Sequence, residues 1–458
     1  MATKKKKSKA SSYECSACGA HHARWMGRCT TCGEWNTLEE RKAAPSVAST
    51  QRTGRAEPIP LGEVTSDDAL RVPIGIAELD RALGGGPVRG GVILLGGEPG
   101  IGKSTLLMQA LASVSAKKLR ALYVTGEESA AQVAHRAERI GGPGMRDVRI
   151  LATTELQDAS AALEKSKPAI AVIDSIQTLR SSELQSALGS VSQLREVATT
   201  LIDLAKRHGV ALFLIGHVTK DGVIAGPKVL EHLVDTVLSF EGDRGHAFRV
   251  VRATKNRFGP AQEMGVFEMV REGLREVPDP SALFLAERPE DASGSAVVPI
   301  CEGSRPVLVE VQALVAPCQY GAPRRVVSGL DTNRLNILLA VLERRAGVRV
   351  LDRDVFASVA GGTRVDERAA DLAIAMAVVS GHLDKPLPHD LAVFGEVGLA
   401  GEVRAVPRPA ARIAEARKLG FERIVLPKAN ADQLTASERK GVRLIAAQTL
   451  RDVLTALD

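Results

Sequence analysis

The sequence predicts a doubly wound α/β domain at the centre of the chain, with a small four-cysteine module before it and a further large domain after it. Three observations carry this reading. Short apolar strands alternate with helical segments from about Ile59 onward. One of these strands, Val92-Ile93-Leu94-Leu95, runs directly into the glycine-rich stretch Gly97 to Thr105, GEPGIGKST. Two CxxC pairs, Cys15/Cys18 and Cys29/Cys32, stand ten residues apart near the N-terminus.

At 458 residues the chain is too long for one ordinary domain. Hydrophobic residues make up 45%, yet there are only three Tyr, nine Phe and two Trp, so the cores are expected to be aliphatic. Extensive aromatic platforms for stacking nucleic-acid bases are not expected on that composition. No apolar run approaches the length of about 18 residues that a membrane helix needs, and no apolar segment follows the lysine-rich start. Neither a membrane span nor a signal peptide is expected, and the reading is a cytoplasmic protein. The net charge of +6 is uneven: residues 1–60 hold 11 Lys/Arg against 5 Asp/Glu, and the remainder holds 49 of each. Attraction to a polyanion is therefore concentrated at the N-terminal end.

Residues 1–12 read as a basic tail and residues 13–38 as the cysteine module. Four thiolates on two tight turns can close a tetrahedron around Zn²⁺, so Cys15, Cys18, Cys29 and Cys32 are assigned as zinc ligands. His21 and His22 lie between the pairs and are read as surface or supporting residues. So short a module cannot bury much core, and the metal is expected to supply its folding energy. Trp25 and Trp35 are expected as its packing partners. Residues 39–58 have no apolar periodicity and read as a flexible linker.

The central domain follows. A strand, a glycine-rich turn and a helix start are the context a phosphate-binding loop requires. Gly97, Glu98, Pro99, Gly100, Ile101, Gly102, Lys103, Ser104 and Thr105 would wrap a nucleotide's phosphates, with ATP and Mg²⁺ as the expected ligands. The glycines let backbone N–H groups face phosphate oxygens, the helix turns its positive end toward the same anion, Lys103 adds a point charge, and the Ser104 hydroxyl can ligate the metal. The second strand, Ala121 to Val124, ends at Gly126-Glu127-Glu128, where a carboxylate could orient the attacking water. Glu127 is assigned that role, with Glu128 as the alternate. The apolar strand Ile170 to Ile173 closes on Asp174, the expected second residue on the Mg²⁺ side. Val210 to Ile215 leads to His217, placed where a γ-phosphate sensor would sit. Thr236 to Phe240 and Phe248 to Arg252 suggest further strands. Beyond them stands Lys255-Asn256-Arg257-Phe258-Gly259, two cations beside an aromatic and a glycine. That combination suits phosphate contact with nucleic acid or an arginine finger reaching a neighbour's site, and spacing does not choose between them.

Taken together, the cysteine module, GEPGIGKST, Gly126-Glu127-Glu128, the Asp174 strand and KNRFG at Lys255 to Gly259 resemble the bacterial RadA/Sms family of DNA-repair ATPases, over nearly the whole chain. The resemblance implies a RecA-like ATPase domain over residues 59–284, ring-shaped hexamers, and binding to single-stranded and branched DNA. It further implies branch migration in recombinational repair together with the RecA recombinase, and it assigns Lys255 and Arg257 to ATP use and DNA-dependent function. Residues 285–458 are similar to the proteolytic domain of Lon, an α+β domain, at Asp366 to Ser380, Gly395 to Val403 and Phe421 to Pro427. The Ser-Lys dyad of Lon falls on Ala369 and Ala410, which supply neither nucleophile nor base, so peptidase activity is expected to be missing. Arg324, Arg325, Arg344, Arg345, Arg349 and Arg353 could line a DNA channel or simply be solvated. Cys301 and Cys318 are read as buried thiols. A Lon-type peptidase and a KaiC-like signalling ATPase are the competing classes. The first lacks its dyad, and the second has no place for the zinc module or KNRFG.

Overall fold

The computed structural model describes residues 12–15, 20–41, 60, 71–184, 190–217, 229–242, 248–289, 291–318, 321–362 and 364–457. Residues 1–11 of the basic tail, residues 42–58 of the linker and Cys18 of the first CxxC pair lie outside the described residues, and residues 39–41, read as linker, instead belong to a strand of the N-terminal module. Two compact units emerge: one runs to Glu241 and includes Arg249–Glu276, and the other comprises Gly242–Phe248 and Val277 onward. Among the described residues no helix is long and apolar enough to cross a membrane.

The N-terminal module is a three-stranded antiparallel sheet in the order β2-β1-β3, with β1 at Ser12–Cys15, β2 at His21–His22 and β3 at Leu38–Arg41. Its small core is Cys15, Cys29 and Leu38, with Tyr13, Ala20 and Met26 against it.

The central domain is built on one nine-stranded sheet. Its strands are β4 (Val92–Gly97), β5 (Ala121–Thr125), β6 (Arg149–Ala152), β7 (Ile170–Asp174), β8 (Ala211–His217), β9 (Thr236–Glu241), β10 (Phe248–Asn256), β11 (Met264–Val270) and β12 (Gly273–Glu276). They lie in the order β12-β11-β10-β9-β4-β8-β7-β5-β6. From β9 to β6 the pairings are parallel, which places every strand's carboxyl end on one edge. β10 runs antiparallel to β9, and β11 with β12 forms an antiparallel hairpin at the rim. Strands β4, β5 and β7 are buried along their whole length, as strands covered on both faces must be. Alternate residues feed two apolar layers: Ile93, Leu95, Val172 and Phe213 on one side, Val92, Leu94, Ala171 and Leu212 on the other. Helices α1 (Ala77–Ala82), α2 (Lys103–Ala116) and α3 (Ala130–Ile140) supply the first layer. Helices α4 (Leu156–Ser166), α5 (Val191–His208) and α6 (Val229–Leu233) supply the second. The predicted α/β core is present, and the strand expected at Phe248 to Arg252 forms as β10, running antiparallel; β6 and the β11–β12 hairpin widen the sheet beyond the sequence expectation.

Local chemistry sets the helix ends. Ser129 and Gln132 form a reciprocal capping box at the start of α3, and Ser190 caps α5 while Gly209 closes it in a left-handed conformation.

The second unit has a seven-stranded sheet in the order β15-β16-β14-β13-β17-β20-β21. Its strands are β13 (Ser295–Glu302), β14 (Arg305–Pro317), β15 (Arg325–Ser328), β16 (Arg353–Val359), β17 (Leu391–Val393), β20 (Arg423–Pro427) and β21 (Arg443–Ala447). β18 (Glu396–Val397) and β19 (Val403–Arg404) pair separately. Helices α7 (Pro280–Phe284), α8 (Thr332–Val341), α9 (Asp371–Leu383), α10 (Pro409–Lys418), α11 (Lys428–Gln433) and α12 (Leu450–Leu457) complete it. Residues 371–380 of α9, DLAIAMAVVS, are all buried, so this helix is the core element of the α+β domain.

Candidate nucleotide site and zinc module

The loop after β4 turns twice through the left-handed region, at Gly100 (φ +80°) and Gly102 (φ +116°). Gly102 is also tightly hemmed: a Cβ there would stand 2.8 Å from Met269 Cε, and one at Gly97 would stand 2.7 Å from the Phe240 carbonyl oxygen. By contrast nothing lies within 4 Å of a Cβ at Gly100, so the loop is open at that point. Gly102 begins α2 without any side-chain cap, which leaves the helix's first N–H groups for an anion. Lys103 is 4% exposed, and its ammonium donates to the carbonyls of Gly97 (2.7 Å) and Glu98 (2.9 Å). Burial lowers its pKa, against the opposing pull of Asp174, Glu127 and Glu98.

Those carboxylates arrive from neighbouring strands. β5 pairs with β7 so that Thr125 stands opposite Asp174. The turn after β5 is fixed by the Thr125 hydroxyl, which accepts from the backbone N–H groups of Glu127 (3.2 Å) and Glu128 (3.1 Å). Ser175 donates its hydroxyl to the Glu127 carboxylate. Asp174 is buried and accepts from the Tyr123 hydroxyl, which in turn accepts from Arg136 of α3 at 3.1 Å. Arg136 also pairs with Glu128 at 2.5 Å. Burial, and then the Asp174 charge, push the Tyr123 phenol far above its usual range, so it stays a donor at any working pH. Lys103, Asp174 and Glu127 are thus brought together at the carboxyl edge, where doubly wound domains bind ligands.

Tyr123, Arg136 and Ser175 escape sequence reasoning. One signal was available: a tyrosine inside the otherwise aliphatic strand ALYVT has a hydroxyl that must find a partner when buried. Arg249 is another; it is buried, and its Nε donates to the carbonyl of Ile101 in the phosphate loop at 3.3 Å. His217 ends β8, and its side chain lies outside the described residues.

KNRFG is not at this site. It lies beside the start of β4, which at about 3.3 Å per residue puts it some 16 Å from the phosphate loop. Lys255 donates to the carbonyls of Glu231 (2.7 Å) and Val234 (2.8 Å) and so caps the end of α6. Burial, and then the Arg257 charge, lower its pKa. Arg257 pairs with the buried Asp235 at 3.1 Å, and Asp235 in turn accepts from the Val92 N–H at 3.1 Å. The Arg257 side chain remains 50% exposed. Asn256 bridges locally, accepting from Thr236 (3.3 Å) and from the Phe258 N–H (3.1 Å). The Phe258 ring is 41% exposed, Gly259 packs near Gly84, and the Phe258 carbonyl accepts from Arg71 at 2.5 Å.

In the N-terminal cysteine module the sulfurs of Cys15, Cys29 and Cys32 lie within 4.8 Å of one another. Backbone N–H groups of Cys32 and Thr31 hold the Cys29 thiol down at about 5, so it is a thiolate at neutral pH. Three converging sulfurs with one already ionised fit Zn²⁺, and His22 sits 3.5 Å from the Cys29 sulfur as a supporting group. The tryptophans depart from expectation. Trp25 is 55% and Trp35 67% exposed, because the core closes on Cys15, Cys29 and Leu38 without them.

In the second unit Cys301 and Cys318 are half-buried, which corrects the reading of both as buried. Ala369 is buried at the turn into α9 and Ala410 lies in the first turn of α10. Two residues from each alanine, Glu367 and Arg412 form a bidentate ion pair, with one N–O contact at 3.0 Å. Arg412 is fully buried and also donates to the Pro299 (2.6 Å) and Pro407 (3.0 Å) carbonyls.

A glycine-rich loop feeding an uncapped helix, a buried lysine, and carboxylates closing the adjacent strands of a doubly wound sheet define a nucleoside-triphosphatase of the phosphate-loop class. The comparisons agree: residues 61–223 match the AAA domain, residues 13–40 the rubredoxin metal binding domain and residues 345–430 subunit ChlI of Mg-chelatase. The DNA repair protein RadA of Pseudomonas aeruginosa is 49% identical, over 97% of this chain and 98% of its own. The proteins of the same name from Escherichia coli and Bacillus subtilis are 47% and 45% identical over the same shares. The chain belongs to the RadA family of DNA repair proteins, and it is an ATPase.

Proposed function

We propose that this chain is a DNA-dependent ATPase that binds single-stranded and branched DNA and drives the processing of recombination intermediates alongside the RecA recombinase. It works in the cytoplasm as a homo-oligomer, in the hexameric ring that family resemblance implies. The observation that carries the reading is the meeting of Lys103, Asp174 and Glu127 at one strand edge, while Arg257 is offered to solvent at the opposite end of the same sheet. A site so divided suits hydrolysis at one end and contact with DNA or a neighbouring subunit at the other.

In this assignment the backbone of Gly97 to Gly102 and the first turn of α2 bind the phosphates, and Lys103 neutralises the β- and γ-phosphate charge. Ser104 and Asp174 would hold Mg²⁺, which supplies further charge neutralisation when bound. Tyr123 fixes the orientation of Asp174. Glu127, steadied by Ser175, positions the attacking water and accepts its proton. Lys255 holds the KNRFG strand end against α6, and Arg257 acts on DNA or across a subunit boundary. Zn²⁺ would be held by Cys15, Cys29 and Cys32, with Cys18 as the fourth ligand the spacing supplies. Domain boundaries expected near residues 58 and 284 separate zinc module, ATPase and C-terminal domain, with the second compact unit taking up the chain slightly earlier, from Val277. That last domain serves assembly and is not a peptidase, a reading supported by alanines at both dyad positions and by the Glu367–Arg412 pair beside them.

The test is the ATPase rate with and without single-stranded DNA. Wild type should be stimulated. Lys103→Ala should lose turnover by at least about 10²-fold, as expected for a lost transition-state charge contact, and Arg257→Ala should keep basal hydrolysis but lose stimulation. A wild-type rate indifferent to DNA would overturn the coupling. Hydrolysis of unfolded casein would overturn the non-peptidase assignment.

A further inference from the structure

The chain has two tryptophans, and both sit exposed on the zinc module. Large indoles left in water on so small a module are not there for its core, which is complete without them. They converge: a Cβ at Gly27 would lie 3.8 Å from Trp35 Cζ3 and 3.9 Å from Trp25 Cη2, so the two rings flank a notch in the backbone with no side chain in it. The Arg28 guanidinium stands 5.7 Å from the Trp35 ring centroid and is held there by donating to the Gly33 carbonyl at 2.6 Å. The outcome is a small platform of two rings and one oriented cation.

Ring faces beside a fixed guanidinium suit two kinds of partner, an unpaired nucleobase or an apolar protein surface. Charge favours the first. Residues 1–60 carry all of the chain's excess positive charge, 11 Lys/Arg against 5 Asp/Glu, whereas the rest is balanced at 49 of each. A polyanion is therefore drawn to this end of the molecule.

We propose that Trp25, Trp35 and Arg28 form a stacking site for unpaired bases, so that the zinc module grips single-stranded DNA through base faces rather than through phosphates alone. The proposal rests on the reading of the chain as a single-strand binder and adds where the bases lie. Stacking is indifferent to base identity, since every base has a π-face, and it requires that the base be unpaired.

The chain provides its own probe. Both tryptophans lie in the patch, so the tryptophan emission of the full-length, zinc-loaded protein reports on this site alone. Oligo(dT) should quench that emission with the midpoint at which a dye-labelled oligo(dT) gains anisotropy, and a duplex of equal length should quench little. Trp35→Leu should weaken oligo(dT) binding by about 5- to 150-fold, the range for one stacked base, with zinc content measured to show that the module is intact. Anisotropy that rises while wild-type emission stays unchanged would overturn the proposal and leave the patch to a protein partner. Equal quenching by the duplex would overturn stacking. No anisotropy change at all would overturn the single-strand reading itself, and the proposal with it.

Discussion

Tyr123 shows how one hydroxyl organises the nucleotide site. It donates to the carboxylate of Asp174 and accepts from Arg136, so it holds a charged oxygen in one orientation inside a fully buried strand. Tyr123→Phe keeps the ring and its packing and removes only that donor. A hydrogen bond to a charged group contributes about 1.5–3 kcal/mol, so the Mg²⁺ concentration for half-maximal turnover, and for Mg²⁺-dependent binding of a fluorescent ATP analogue, should rise about tenfold or more. An unchanged Mg²⁺ dependence in both assays would show that Asp174 needs no such support. Arg412 offers the contrasting case, a buried cation whose role is structural. Arg412→Met leaves Glu367 without its cation and the Pro299 and Pro407 carbonyls without their donor, and should lower the stability of the C-terminal domain by about 3 kcal/mol, read from the denaturant midpoint. ATP hydrolysis should be untouched.

The element proposed to hold the nucleotide's phosphates is the turn between β4 and α2. Gly100 and Gly102 share a positive φ but differ in surroundings: the first faces open space and the second faces Met269. Gly100→Ala should therefore carry only backbone strain of about 1 kcal/mol. Gly102→Ala would bring its Cβ to 2.8 Å from Met269 Cε, which a turn of that flexible side chain relieves, but its φ of +116° lies well outside the left-handed region that non-glycine residues visit, so it should lose nucleotide binding more severely than Gly100→Ala. Equal losses in the two variants, measured by titration with the same fluorescent analogue, would mean that the backbone conformation at Gly102 does not matter. The cysteine turns behave differently, because their chemistry titrates. Cys29 has its thiol held at about 5 by backbone donors. A depressed folded-state pKa contributes stability that is present above the unfolded thiol range and lost as the pH falls through the folded value. Zinc should accordingly be retained at neutral pH and released on acidification as the ligand thiols take up protons, which a chromophoric chelator would follow. Zinc content unaffected by strong acid would contradict the assignment.

For the whole molecule, the core of the ATPase sheet and that of the cysteine module are separate. The two apolar layers of the ATPase sheet contain no residue of the cysteine module, which closes on its own three-residue core. Removing zinc with a selective chelator, in excess Mg²⁺, should thus unfold the module while basal ATP hydrolysis continues within about twofold, since metal binding is itself the folding energy of so small a domain. Basal hydrolysis that collapsed with the zinc would show that the module supports the ATPase fold.

Much of this architecture follows from local pattern. The phosphate loop, the convergence of Cys15, Cys29 and Cys32, and the strands leading to Glu127 and Asp174 were legible because each is a short run of special residues whose chemistry depends on spacing along the chain. What required tertiary structure is what depends on partners distant in sequence: the Tyr123–Asp174 bond, the reach of Arg249 to Ile101, and the Glu367–Arg412 pair. The place of KNRFG belongs here as well, since only strand pairing shows that Lys255 and Arg257 stand at the far end of β4 from the loop. The exposure of Trp25 and Trp35 is the plainest case. A tryptophan's identity says how much surface it could bury, and only the folded module, whose sulfur-centred core leaves no room for an indole, determines that these two remain at the surface.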